Sequence, residues 1–145
     1  VFNGLQRRSF QEFAGYSRIL REVRYGKSRL DFKLTGGLEA DSFIEVKSVT
    51  LVDGEKALFP DAPSIRGARH LRELAQACSD GYKAYVIFVI QRDDAIKFSP
   101  NRQMDPDFAD ALKDAVSAGV VPWAYTCHVT LEGLFLDEKV EVLLE

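Results

Sequence analysis

Three charged residues with the potential for chemistry lie in segments that otherwise have the composition of buried β-strands. Asp31 lies in the first segment, and Glu45 and Lys47 lie two positions apart in the next. Since alternate residues of a strand point to the same face, Glu45 and Lys47 are predicted to be neighbours on one face of a sheet. If the two strands pair as a hairpin, the Asp31 carboxylate can approach that of Glu45.

Two converging carboxylates beside an amine suit a particular reaction. Carboxylate oxygens are hard donors that favour Mg²⁺ or Mn²⁺, and such an ion would stabilise charge on a phosphate. Lys47 could orient or deprotonate the attacking water, so the set indicates phosphodiester hydrolysis. The competing interpretation is a cross-strand ion pair on a solvent-facing sheet, worth roughly a few tenths of a kcal/mol, and these three residues alone favour it.

The surrounding pattern predicts a mixed central β-sheet flanked by helices. Strands are expected over residues 17–25, 29–34, 42–52, 83–91 and 120–129, with a possible edge strand over 140–144. Helices are expected at the end of 3–13, over 64–79 with Ser64 as the N-cap, and over 105–119. Residues 55–64 contain two prolines and are expected to form a loop.

The composition is that of a single soluble domain. The chain has 145 residues, of which 46% are hydrophobic and 28% are charged. Its longest strongly apolar run, residues 84–90, is too short to cross a bilayer, so no membrane partner is expected. Cys78 and Cys127 lie far apart among apolar residues, which favours free thiols and a reducing, cytoplasmic location.

The charges are distributed unevenly along the chain. Residues 1–34 hold eight Lys and Arg against three acids, whereas residues 93–145 hold four against eleven. A basic front is expected if one face meets phosphates, although an unevenly charged solvated surface explains the counts equally well. The residues that could form a DNA-facing basic stripe are Arg18, Arg21, Arg24, Lys27 and Arg29.

Further phosphate-binding candidates lie around the helix predicted after the proline-containing loop. Ser64 and Arg66 lie at its N-terminus, where free N–H groups and the helix dipole favour phosphate. Arg69 lies on the same polar face, which is otherwise expected to be solvated, and His70 on that face is expected to be a surface or hydrogen-bonded histidine. Gln91 ends the buried strand, where it could organise a phosphate or satisfy the backbone.

Longer stretches of sequence resemble a known family. The segments "REVRYGKSRLDF", "IEVKSVTLV", "ALFPDAPSIRGARHLREL" and "FVIQRDDAIKFSPN" are similar to the sugar fermentation stimulation protein A family. The pattern of Asp31 followed by Glu45-x-Lys47 also resembles the PD-(D/E)XK nuclease superfamily, whose core has the order helix, three strands, helix, strand.

The resemblance implies more than the spacing does. It implies a DNA-binding protein linked to regulation of maltose metabolism, with a restriction-endonuclease-like domain behind an N-terminal OB-fold domain. Residues 1–145 would form the nuclease-like domain alone, without the OB-fold portion. By motif, Asp31 and Glu45 become ligands of Mg²⁺ or Mn²⁺ and Lys47 the catalytic lysine of a deoxyribonuclease. The alternative is a non-catalytic DNA-binding regulator on a nuclease scaffold.

Overall fold

The computed structural model describes residue 13, residues 15–130 and residues 133–144. Within this part of the chain the strands are β1 Arg18–Tyr25, β2 Ser28–Thr35, β3 Ser42–Val49, β4 Leu51–Asp53, β5 Lys56–Phe59, β6 Lys83–Ile90, β7 Lys97–Pro100, β8 Val121–Thr130 and β9 Gly133–Val142. The helices are α1 Ile65–Ser79 and α2 Pro106–Ala118. The helix end predicted over residues 3–13 lies, apart from Phe13, outside the described residues.

The strands form one mixed sheet in the order β1-β2-β3-β6-β8-β9-β7-β5-β4. β1, β2 and β3 are antiparallel, whereas β3, β6 and β8 are parallel. The parallel connections pass through α1 and α2, as such crossovers require. The predicted mixed sheet flanked by helices is therefore confirmed.

Both helices begin where the sequence places their caps. Ser64 Oγ accepts the Gly67 N–H at 3.0 Å to start α1, and Asp105 Oδ1 accepts the Phe108 N–H at 3.0 Å to start α2. The other Asp105 oxygen accepts the Ser64 N–H at 2.7 Å, so one carboxylate joins the starts of the two helices. Gly119 ends α2 with φ of 115°, a conformation that favours glycine.

Apolar residues pack on both faces of the sheet. Strand β6 supplies both layers because its residues are apolar at successive positions, as predicted for a central strand. The helix-covered face includes Leu71, Leu74, Phe88, Phe98, Phe108 and Leu112. The opposite face includes Phe13, Tyr16, Ile44, Ile87 and Cys127.

Several predicted boundaries are wrong. The strand predicted over 42–52 ends at Val49, and Leu51 begins β4 at the far edge of the sheet. Part of the predicted loop over 55–64 forms β5, and the sequence pattern does not predict β7. The last strand is not a short edge strand, because β9 lies inside the sheet between β8 and β7. These short strands find their partners in distant parts of the chain, where local periodicity carries little signal.

The β1–β2 hairpin bends at Asp31. Leu30 packs on the helix-covered face whereas Phe32 packs on the opposite face, although alternation alone would put both on one face. Beyond the bend, the Lys27 N–H donates to Glu73 Oε1 of α1 at 3.1 Å. The turn between β1 and β2 therefore packs against α1 and covers part of that helix.

No helix in the described residues has the length and hydropathy needed to cross a membrane. Cys78 and Cys127 are free thiols, the first half-buried and the second buried.

Candidate functional site

The carboxylates of Asp31 and Glu45 lie close together at the point where the pairing of strands β2 and β3 ends. Phe32 pairs with Ile44, so the register continues to Asp31 opposite Glu45. There, Glu45 Oε1 accepts the Asp31 N–H at 3.0 Å, and Asp31 Oδ2 accepts the Val46 N–H at 2.8 Å. Each carboxylate thus accepts a hydrogen bond from the backbone of the opposite strand, which brings the two acidic side chains together.

Lys47 lies beside Glu45, as their spacing on β3 predicts. Its Nζ is 3.1 Å from Glu45 Oε2, and the side chains of Lys47 and Glu45 are 12% and 4% exposed. These exposures are far below those of a surface ion pair, so the charges are largely removed from water. The alternative of a cross-strand pair on a solvent-facing sheet therefore does not describe this cluster.

The sequence predicts a surface or hydrogen-bonded histidine at His70, on a solvated face of the helix; the hydrogen-bonded environment is confirmed, but the solvated position is wrong. The residue is 3% exposed, and its Nδ1 lies 2.5 Å from Glu45 Oε2 and 2.8 Å from Lys47 Nζ. A signal was available in the sequence, because Gly67, His70, Leu74 and Ala77 form a second row at helical spacing that is buried throughout.

The two carboxylates differ in their electrostatic environment. Burial and the neighbouring Glu45 charge raise the pKa of Asp31 from 3.8 to about 6, against the opposing effects of the Val46 N–H and Lys47. Burial also raises the pKa of Glu45, but the hydrogen bond from His70 and the charge of Lys47 outweigh it, so this pKa is lowered. The charge of Glu45 is therefore compensated by its neighbours, whereas that of Asp31 is not.

This donor set fits a hard divalent cation. The two carboxylates provide oxygen ligands, and the uncompensated charge of Asp31 gives an electrostatic reason to bind a cation. Among residues 13, 15–130 and 133–144, no group of three or more His, Cys, Asp and Glu side chains is arranged to hold a metal ion. A site with two carboxylate ligands suits Mg²⁺ better than Zn²⁺, since Mg²⁺ is commonly bound by one or two carboxylates, several waters and a phosphate.

The predicted phosphate-binding arginines lie on the surface. Arg29 is exposed on β2, two residues before Asp31, and its cross-strand partner on β1 is Arg24, also exposed. Like charges opposite each other destabilise a strand pair, and within the described part of the chain neither has an acidic partner at ion-pair distance. Arg66 and Arg69 are exposed on α1, with Arg69 next to His70 in sequence.

Ser64 and Gln91 are less favourably placed. The Ser64 hydroxyl accepts from Gly67 and its N–H donates to Asp105, so both groups already have partners and a carboxylate lies at this helix N-terminus. Gln91 is exposed just after β6, and its N–H donates to Val49 O at 2.8 Å. It lies beyond the level of Lys47 in the β3–β6 register. For both residues the phosphate-binding role stays a prediction.

The mixed sheet with its flanking helices and its acid, acid and lysine cluster defines a restriction-endonuclease-like α/β domain. The family model described as "Sugar fermentation stimulation protein RE domain" matches residues 1–133. The chain therefore belongs to the sugar fermentation stimulation protein family, as the sequence segments indicated.

Individual relatives agree with this assignment. The chain is 52% identical over 125 residues to the sugar fermentation stimulation protein homolog of Moorella thermoacetica, covering 86% of the chain and 54% of the relative. It is 48% identical over 145 residues to the homolog of Desulforamulus reducens, covering 99% and 60%. The chain thus spans between about half and three-fifths of these relatives' length.

A solved structure has the same fold. The structure of Pyrococcus furiosus SfsA in complex with Ca²⁺ matches with a TM-score of 0.88 and 35% sequence identity. The match covers 97% of this chain and 61% of that one.

Proposed function

We propose that this domain hydrolyses phosphodiester bonds in DNA with the help of Mg²⁺ or Mn²⁺. The observation that carries the proposal is the meeting of Asp31 and Glu45 at the end of the β2–β3 ladder, with Lys47 Nζ 3.1 Å from Glu45. The solved Pyrococcus furiosus relative in complex with Ca²⁺ supports binding of a hard divalent cation.

Asp31, Glu45 and Lys47 would have different roles in such a reaction. Asp31 and Glu45 would hold the ion, which when bound supplies stabilisation of the negative charge on the phosphate. Lys47 is fixed beside Glu45, and as an ammonium it has donors left over to orient the attacking water. Only after giving up one of its own protons could its amine receive the proton of that water. The recessed position of the cluster limits access of bulk water, which strengthens these interactions.

The surface around the cluster offers a path for a polyanion. Arg24 and Arg29 lie on the hairpin that bends at Asp31, and Arg66 and Arg69 lie on the helix that carries His70. Phosphates on both sides of the reacting group would relieve the repulsion between the two hairpin arginines. Such contacts position DNA without reading its sequence.

The proposal is tested by incubating the purified chain with supercoiled plasmid, linear duplex and single-stranded DNA in the presence of Mg²⁺ or Mn²⁺. Cleavage is expected with at least one ion and is expected to stop when a chelator is added. Lys47→Ala is expected to lower the rate by about 100-fold or more because it removes the amine beside the carboxylates. The exposed helix residue Lys113 provides the matched control, Lys113→Ala. Intact DNA in every reaction would refute the proposal.

The second candidate is a regulatory protein that binds DNA without cutting it. Arg24 and Arg29, which are exposed and have no acidic partner at ion-pair distance among the described residues, favour this function because they can contact phosphates independently of the carboxylates. It predicts DNA binding that weakens with salt, needs no metal and survives Lys47→Ala. Fluorescence anisotropy with a labelled duplex at several salt concentrations distinguishes the two, and absence of binding at low salt would exclude the second.

A further inference from the structure

His70 reaches the carboxylate cluster from helix α1, whereas Asp31, Glu45 and Lys47 reach it from the sheet. The imidazole is buried, and its Nδ1 contacts both Glu45 and Lys47. The pattern of Asp31 followed by Glu45-x-Lys47 assigns no role to this side chain.

The 2.5 Å distance between His70 Nδ1 and Glu45 Oε2 requires a hydrogen between the two atoms. When the Glu45 carboxylate is ionised, as a metal ligand must be, that hydrogen is on the imidazole, and His70 Nδ1–H donates to Glu45 Oε2. Lys47 Nζ donates to the same oxygen from 3.1 Å. The 2.8 Å approach of Lys47 Nζ to His70 Nδ1 is then the contact of two donors that share one acceptor.

These two bonds fix the orientation of the Glu45 carboxylate. Its Oε2 is occupied by His70 and Lys47, while Oε1 accepts the single N–H of Asp31 at 3.0 Å. A carboxylate oxygen can accept more than one hydrogen bond or ligand, so Oε1 keeps an acceptor position on the side of Asp31.

We infer that His70 is a positioning residue that holds the Glu45 carboxylate through Oε2, so that Oε1 is presented beside Asp31 to a divalent cation. Side chains that orient a metal ligand in this way typically change metal affinity or activity by about 10–100-fold when they are removed. The kinetic part of this inference rests on the proposed function, whereas its metal-binding part does not.

The test compares variants that differ in the position of the donor. Asn places an amide nitrogen at the same bond count from the backbone as His Nδ1, and Leu has nearly the shape of Asn without a donor. Mn²⁺ affinity, measured by calorimetry on the protein alone, is expected to stay close to wild type in His70→Asn and to fall by about 10–100-fold in His70→Leu. His70→Gln, which moves the donor to the Nε2 position, is expected to resemble Leu and replaces it if His70→Leu does not fold.

A general loss of stability would affect these variants without regard to the donor position. Equal Mn²⁺ affinity in wild type, His70→Leu and His70→Gln would overturn the inference, and so would equal loss in His70→Asn and His70→Gln, or absence of Mn²⁺ binding by the wild type. If DNA is cleaved, kcat is expected to stay close to wild type in His70→Asn and to fall in His70→Leu and His70→Gln. KM for DNA is expected to stay constant, because His70 is buried behind Glu45. Donor-dependent Mn²⁺ binding without DNA cleavage would refute the nuclease proposal and leave this inference standing.

Discussion

Replacing Asp31 by asparagine is expected to stabilise the protein in the absence of metal. The pKa of Asp31 is raised to about 6, so its ionisation costs more in the folded than in the unfolded chain. A rise of that size corresponds to roughly 3 kcal/mol for a fully shielded group. Asp31 is half-buried, and solvent screening reduces the expected gain to about 1–2 kcal/mol. Asparagine keeps an oxygen to accept the Val46 N–H, so the hydrogen bond is preserved.

The direction of the pH dependence follows from the same shift. Between about pH 4 and pH 6 the folded chain holds a proton on Asp31 that the unfolded chain has released, so wild-type stability falls as pH rises through this window. Above about pH 6 Asp31 is ionised in the folded chain, so the full cost of its ionisation lowers the stability. The advantage of Asp31→Asn is therefore expected at pH 8 and should vanish near pH 4.

The assay is urea denaturation at both pH values in a chelating buffer, followed by circular dichroism. The matched control is Asp53→Asn, which changes an exposed aspartate at the end of β4 and is expected to alter the free energy of unfolding by less than about 0.5 kcal/mol. Adding Mn²⁺ should stabilise wild type but not Asp31→Asn. An Asp31→Asn variant no more stable than wild type at pH 8 would refute the electrostatic reasoning.

Three further outcomes are expected. Arg24→Ala and Arg29→Ala should each weaken DNA binding and lower the slope of log affinity against log salt by about 1, measured by anisotropy, whereas an unchanged slope would place the phosphates elsewhere. Asp105→Ala should lower the free energy of unfolding by about 2–3 kcal/mol in urea titrations, because the Ser64 and Phe108 N–H groups lose their acceptor; a loss below about 0.5 kcal/mol would contradict this. Gly119→Ala should cost about 1 kcal/mol because its φ is 115°, and a neutral result in thermal melts would show that the turn adapts.

The clustering of Asp31, Glu45 and Lys47 in the candidate site could be predicted from the sequence because it depends on local geometry. Glu45 and Lys47 share a face of β3 through strand alternation, and a short hairpin brings Asp31 of β2 opposite Glu45. The helices could be predicted for a similar reason, since the N-caps Ser64 and Asp105 act within three residues.

What the sequence failed to indicate depends on contacts between distant segments. Strands β5 and β7 are four residues long and are defined by pairing with each other across some forty intervening residues. The burial of His70 also depends on a distant segment, since its imidazole contacts Glu45 and Lys47 of β3. Within α1 alone, only the row of Gly67, Leu74 and Ala77 at helical spacing indicates that this side is buried.

Asp105 contacts none of Asp31, Glu45, Lys47 and His70, yet it holds the start of the helix that carries His70. Its buried carboxylate accepts N–H groups from the residue before α1 and from the first turn of α2, which fixes the start of one helix relative to that of the other. A helix advances 1.5 Å per residue, so even a fractional slip of α1 would carry the imidazole of His70 out of reach of Glu45. Asp105 should therefore be kept unchanged when this domain is re-engineered, although no ligand is expected to contact it.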